Sequence, residues 1–211
     1  MKSVLLTGFE PFGGHVSNPS AEIAQHFDGE VIDEHLVTGV VLSYDYDKSL
    51  RQLKAHIRRT NPELIICLGL AAGRPAINPE RVAINMDDAA ICDNAGNFRN
   101  GSPILARGPV GYWSTLPNKA IVAALLEQGI PASLSQTAGT FVCNHVFYGL
   151  MHALRRTPTR RGGFIHIPAA DGSSDRFPTL PITQLKNAVE IAISTSLRIE
   201  TDSIQAGGAV H

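Results

Sequence analysis

The chain predicts an α/β protein: a single-domain three-layer sandwich with a largely parallel, twisted central sheet and helices on both faces. Two observations carry this expectation. Residues 64–69 (Leu64-Ile65-Ile66-Cys67-Leu68-Gly69) form an uninterrupted apolar run bounded by turn residues. That is the pattern of a strand covered on both sides, as in a parallel sheet between helix layers. Short runs of this kind alternate with segments of helical period along the 211 residues, and no repeat or linker interrupts them. Residues 1–211 are therefore expected to form one domain.

In chain order, residues 4–7 (Val4-Leu5-Leu6-Thr7) make a first short strand that runs into the glycine-rich loop 8–14. Asn18 then suits a helix N-cap, with Pro19 at the first helical position. A second strand lies within residues 31–42. The helix after it turns Leu50, Leu53 and Ile57 inward and stops before Asn61-Pro62, and strand 64–69 follows. Between Gly69 and Pro117 the pattern dissolves into Gly, Pro, Asn and Asp, apart from the apolar pieces 82–84 and 104–106. Long irregular stretches in compact domains are commonly functional or mobile. A helix spans about 117–127 with Gly129 as its stop, and a strand is expected over 132–138. An amphipathic helix follows, with apolar positions at Val146, Phe147, Leu150, Met151 and Leu154, ending at Arg155-Arg156. A strand over 163–168 and a last helix over about 182–197 complete the order, the latter with Ile182, Leu185, Val189, Ile193 and Leu197 inward. The tail after Ile204 is small and polar.

Composition removes several classes of function. The chain is 44% hydrophobic and 18% charged, enough to bury a full core. A formal net charge of −1 and an isoelectric point near 6.7 give no basic field for nucleic acid or an anionic membrane. The cluster Arg155, Arg156, Arg160 and Arg161 reads as a solvated helix end and turn. The first apolar run is too short for a signal peptide or a membrane span. Three cysteines without framework spacing fit a reducing compartment, so a cytoplasmic location is expected. The histidines are scattered and no paired-cysteine spacing appears, so no metal site is expected. The glycine-rich loop lacks a Gly-Lys-Ser/Thr ending and carries Glu10 and two phenylalanines, which argues against nucleotide binding. No cofactor is expected.

Cys143 is the candidate nucleophile. It falls in the first turn of the helix predicted around Val146, where free backbone N–H groups and the helix dipole favour thiolate and can hold an oxyanion. Cys67 sits inside an apolar run and reads as a small hydrophobe. Cys92, in a loop beside Asp93, ranks below Cys143. A thiol nucleophile needs a base, and imidazole suits that task near neutrality. His145, two residues on along the same helix, points away from Cys143. His166, at the end of a predicted strand, lies where open α/β sheets place their sites. It reads equally as that base or as a histidine hydrogen-bonded within the sheet edge. A third group should orient the imidazole. Glu80 is one acid in position, with Asp87, Asp88 and Asp93 as rivals, and taken alone its neighbour Arg81 suggests an ordinary surface ion pair.

Four blocks of the chain together resemble the pyroglutamyl peptidases, cysteine peptidases that remove an N-terminal pyroglutamate. The blocks are residues 5–14 (Leu5-Leu6-Thr7-Gly8-Phe9-Glu10-Pro11-Phe12-Gly13-Gly14) followed by Asn18-Pro19-Ser20; residues 69–85, with Glu80-Arg81-Val82-Ala83-Ile84-Asn85; residues 137–145 (Thr137-Ala138-Gly139-Thr140-Phe141-Val142-Cys143-Asn144-His145) with Tyr148-Gly149-Leu150-Met151; and Gly162-Gly163-Phe164-Ile165-His166-Ile167-Pro168. The resemblance implies a triad of Cys143 as nucleophile, His166 as general base and acid, and Glu80 as orienting carboxylate. It further implies that Phe9, Phe12, Phe141 and Val142 hold the flat, neutral lactam, and that the substrates are peptides or proteins with an N-terminal pyroglutamate. A cytoplasmic homodimer or homotetramer is the assembly it implies.

Two positions depart from the family. Its usual arginine in Asn-x-x-Asp-Ala-Arg is Ala90 here, and Leu70 stands where many members carry glutamine. Loss of one electrostatic stabiliser can cost on the order of 100-fold to 1,000-fold in rate. The departures leave two alternatives to the peptidase: a catalytically weakened binder of a pyroglutamyl-like ligand, and a related thiol amidase or acyl transferase.

Overall fold

The computed structural model describes residues 2–173 and 176–203; the tail expected after Ile204 lies outside them. In chain order the elements begin with β1 (Ser3–Phe9), α1 (Pro19–His26), β2 (Val31–Ile32), β3 (His35–Leu42), α2 (Tyr46–Thr60) and β4 (Leu64–Leu70). They continue with β5 (Asn78–Pro79), β6 (Val82–Ile84), β7 (Gly111–Trp113), α3 (Asn118–Glu127), α4 (Val142–Leu154), β8 (Arg161–Ile167), β9 (Ala169–Ala170), β10 (Thr179–Leu180) and α5 (Ile182–Arg198). Among the described residues, the central sheet has six strands in the order β2-β3-β1-β4-β8-β5. β3, β1, β4 and β8 run parallel, while β2 and β5 close the two edges antiparallel. The α/β expectation holds.

Alternation along the strands assigns each side chain to a layer. Val4 and Leu6 of β1, Leu64, Ile66 and Leu68 of β4, and Ile165 and Ile167 of β8 pack with α1, α3 and α5. Leu5 and Phe9, Ile65 and Cys67, and Phe164 pack on the other face with α2 and α4. His166 has the parity of Phe164 and so lies on the α4 face. The helix boundaries follow local chemistry. Asn18 Oδ1 accepts from the Ser20 N–H at the start of α1, with Pro19 next to it. Asp45 Oδ1 accepts from the Lys48 N–H to start α2, and Asn61, left-handed at φ 48°, ends it. Caps of this kind contribute about 1 kcal/mol each.

Several expectations need correction. The strand expected within 31–42 is present as β3, but β2 precedes it to make a hairpin the sequence did not announce, with Asp33 and Glu34 at φ 44° and 64° between them. Two-residue hairpin loops need that left-handed backbone. Here it is held from outside, because Asp33 accepts from Arg198 and Ser194 of α5. β1 continues through Gly8 and Phe9, so Phe9 is a strand residue and the loop starts later. Residues 132–138 form no strand. They pair with residues 77–81 through Ser133 N–H to Ile77 O and Ser135 N–H to Pro79 O, but Pro79 has no N–H to return, and the Asn78 side chain donates to Ser133 O instead. Residues 104–106 are bends and turns, whereas 82–84 form β6, paired with β7. The helix expected to be amphipathic, α4, is buried on nearly every side, since β6 and β7 cover the flank that would face water.

Candidate active site

The C-terminal ends of β1, β4 and β8 and the N-terminal end of α4 meet at one edge of the sheet. Cys143 is the second residue of α4 and only 5% exposed. Its sulfur lies above Gly69 of β4, whose missing β-carbon would stand 3.0 Å from Cys143 Sγ and 2.7 Å from the Phe164 ring. Gly69 is in register with His166 on β8. The nucleophile thus sits over the strand pair that carries the histidine.

His166 Nδ1 meets Glu80 Oε1 at 2.7 Å. A carboxylate only accepts, so Nδ1 carries the proton and Nε2 keeps its lone pair. Glu80 is fully buried, directly after β5, with its N–H on Phe164 O at 2.9 Å and its carbonyl accepting from Asn118 Nδ2 at 3.0 Å. The same Oε1 accepts from Arg74 Nη1 at 2.7 Å, and Arg74 also donates to Ser135 Oγ and Thr137 O. The surface ion pair suggested by Arg81 is not what forms: Arg81 stacks over Trp113 instead. The rival acids do other work. Asp87 accepts from His145 and Arg99, Asp93 binds the backbone at Tyr46, Ala95 and Asn97, and Asp88 is exposed.

α4 is fastened by the residues flanking Cys143 on the chain. Asn144 Oδ1 accepts from Ile84 N–H, and its Nδ2 donates to Ile84 O and Met86 O. His145 Nδ1 meets Asp87 Oδ2 at 2.9 Å, and Asp87 also pairs with Arg99 at 2.6 Å. The N-cap residue gives the helix start no side-chain hydrogen bond, as at α3 and α5 and unlike α1 and α2, which Asn18 and Asp45 cap. An uncapped N-terminus offers N–H groups to an anion.

The expected lactam slot is aromatic. Phe9 is fully buried; Phe12 and Phe141 are half-buried, with ring centroids 6.5 Å apart and nearly perpendicular. Val142 is buried beside Cys143 at the first position of α4. Between these rings stands a residue the sequence pattern did not single out. Tyr44 is stacked on Phe12 at 3.7 Å, edge-on to Phe9 at 5.3 Å and to Phe141 at 5.2 Å, with its hydroxyl 3.8 Å from Cys143 Sγ. Tyr44 lies outside the four blocks of family resemblance; Arg74 and Asn144 lie within them, but the sequence assigned neither a task, and tertiary placement supplies it. Leu70 is buried at the end of β4, and Ala90 is exposed.

Electrostatics weigh against one expectation. Burial pushes the Cys143 thiol up to about 12, assisted by Glu80 and offset by Tyr44 and Arg74. Burial therefore opposes the thiolate that the helix terminus favours. Burial likewise pushes Cys67 up to about 12, which agrees with an inert core thiol. Cys92 is exposed.

Comparison with known proteins gives a consistent result. The family described as Pyroglutamyl peptidase matches residues 2–199. The pyrrolidone-carboxylate peptidases of Bacillus mycoides (strain KBAB4) and Bacillus cereus (strain G9842) are each 48% identical over 215 aligned positions, covering 100% of both chains. Among solved structures, pyroglutamyl peptidase I of Bacillus amyloliquefaciens superposes with a TM-score of 0.93 at 44% identity, covering 96% of this chain and 100% of that one. The pyrrolidone carboxyl peptidase of Thermococcus litoralis does so at 0.94 and 35% identity, covering 98% and 99%.

Proposed function

The chain belongs to the pyroglutamyl peptidase family, cysteine peptidases that remove an N-terminal pyroglutamate, and we propose that Cys143, His166 and Glu80 carry this reaction in it. The observation that supports the assignment most is the 2.7 Å contact of His166 Nδ1 with a fully buried Glu80, on the strand in register with the glycine beneath Cys143 Sγ.

The reaction follows from these positions. His166 Nε2 takes the Cys143 proton as Sγ attacks the carbonyl carbon of the pyroglutamyl residue, and Glu80 stabilises the imidazolium that forms. The tetrahedral oxyanion binds the Cys143 backbone N–H at the uncapped start of α4. Collapse breaks the C–N bond, the departing amine takes the proton from His166, and a thioester remains. Water, deprotonated by the same imidazole, then releases pyroglutamate and restores the thiol. Phe9, Phe12, Phe141 and Val142 line the slot for the uncharged lactam. No metal or cofactor enters any step.

Release of a fluorescent amine from a pyroglutamyl amide tests this with wild type, Cys143→Ser and Ala90→Arg proteins under reducing conditions. Turnover by the wild type that vanishes in Cys143→Ser is the expected result, and Cys143→Ser turning over at the wild-type rate would overturn it. An increase in Ala90→Arg would show that the absent cation limits the rate. The whole chain acts as one unit in the cytoplasm, and it assembles as a homodimer or homotetramer. Exposed apolar side chains at Val110 and Trp113 favour assembly, and among the described residues no helix is long and apolar enough to cross a membrane. Light scattering on the purified chain reads the assembly directly; a monomer at all concentrations would refute it.

A further inference from the structure

We propose that Tyr44 is a further catalytic residue, whose hydroxyl donates a hydrogen bond to Cys143 Sγ as the thiolate forms. The proposal rests on Cys143 being the nucleophile. Among the described residues, the Tyr44 hydroxyl at 3.8 Å makes the one hydrogen bond that reaches this sulfur. In the resting pair either atom can be the donor. Once the sulfur is ionised it can only accept, so the bond acquires a single polarity and becomes charge-assisted.

Tyr44 is built to serve in that way. It is 2% exposed, and its backbone is clamped on both sides: its N–H donates to Glu10 Oε1 at 3.0 Å and its carbonyl accepts from Asn94 N–H at 2.9 Å. Stacking on Phe12 and edge contacts with Phe9 and Phe141 fix the ring plane. Burial holds the hydroxyl well above its ordinary range, assisted by Cys143 and Tyr46, so it keeps its proton near neutral pH. Besides His166, which is in register with the glycine beneath the sulfur, the groups that act on the sulfur include Tyr44, Glu80, Arg74 and Cys67. Glu80 opposes ionisation, Arg74 is already committed to Glu80, and Cys67 is an inert neighbour. Beside the His166 imidazolium that forms as the proton leaves, Tyr44 is the neutral side-chain donor that favours the thiolate, in a chain where Ala90 stands at the position of the family's arginine. Donation costs Tyr44 no proton: the thiol proton goes to His166, and Tyr44 leaves the cycle as it entered.

Tyr44→Phe removes one oxygen and keeps the ring, so it separates the hydroxyl from the wall of the slot. The first readout is alkylation of Cys143 by iodoacetamide at pH 8, followed on its peptide by mass spectrometry, with exposed Cys92 in the same sample as the reference. The expected result is a fall of roughly ten- to a hundredfold in the Cys143 rate at an unchanged Cys92 rate, the effect of losing one hydrogen bond to a charged group. The second readout is hydrolysis of a pyroglutamyl amide, where kcat/KM falls by a similar factor while inhibition by 2-pyrrolidone stays within twofold. An unchanged ratio of Cys143 to Cys92 alkylation would overturn the proposal, whether or not kcat/KM falls, because Tyr44 would then be only a wall of the slot. Should the wild type fail to hydrolyse the amide, the peptidase assignment falls, yet the alkylation ratio still reports whether Tyr44 supports the thiolate.

Discussion

The sheet edge that carries His166 and the irregular stretch that steadies Cys143 are held by different physics. On β8, His166 inherits its position from a ladder: seven register pairs with β4 and strand alternation place it on the α4 face whatever its neighbours are. Residues 71–117, which contain β5, β6 and β7 but no helix, have almost no ladder to inherit. They are held by scattered backbone bonds, as Asp87 is to Ser102, and by single side chains bonded to backbone, as Asn144 is to Ile84 and Met86, or Asp93 to Tyr46, Ala95 and Asn97. In the first region a side chain can be changed with its place preserved. In the second, the side chain is what makes the place.

Glu80→Gln removes the charge that the irregular stretch supplies to the ladder's His166, and it has the largest expected effect. The amide keeps the shape of the residue but loses the charge that stabilises the imidazolium, so kcat falls on the order of 10³- to 10⁴-fold. The melting temperature moves by only a few degrees, because Glu80 is also held by its backbone, through Phe164 and Asn118. A large loss of stability would break the comparison. Asn144→Ala attacks the fastened side. It leaves the Ile84 N–H and the Met86 carbonyl without partners, while the Ile84 carbonyl keeps the Met86 N–H, an expected loss of about 2–4 kcal/mol of unfolding free energy. Urea unfolding reads it, and activity should fall along with stability since Cys143 is the adjoining residue.

The smallest effect concerns acid. Burial would raise the Asp93 pKa, but hydrogen bonds from the Asn97 side chain and from the Tyr46, Asn97 and Ala95 N–H groups outweigh it and hold the value below 3.8. A carboxyl depressed on folding adds stability above its unfolded value and loses it as pH falls through the folded one. Wild type should therefore lose stability below about pH 4, while Asp93→Asn, with a lower plateau at neutral pH, should lose less on acidification. Melts at pH 7 and pH 3 test this; equal acid losses in the two proteins would rule it out.

How far each region was legible in the sequence follows the same divide. Strand 64–69, the Asn18-Pro19 helix start and Cys143 in a first helical turn could all be read because their signals are local. His166 could be placed at a strand end, but its role needed a partner, and Glu80 stood out only through the family resemblance. Its burial depends on β5 docking against β8, a contact 86 residues apart in the chain. The Asp33-Glu34 hairpin was missed because its left-handed backbone is stabilised by Arg198 rather than by glycine. The strand expected at 132–138 failed because its partner carries Pro79. Tyr44 lay outside every quoted block, and Asn144 lay inside one beside Cys143 without a task; long-range placement gives both something to do.

Gly69 has a consequence for how the protein tolerates genetic change. The space where its β-carbon would go already holds the Phe164 ring and Cys143 Sγ. A single-base change to alanine would pass, by size and polarity, for one of the mildest substitutions in the chain. Yet the added methyl must displace either a core ring or the sulfur itself. In a mutational scan this position should behave as part of the reactive centre, intolerant even of alanine, although glycine offers no side chain for a substrate to touch.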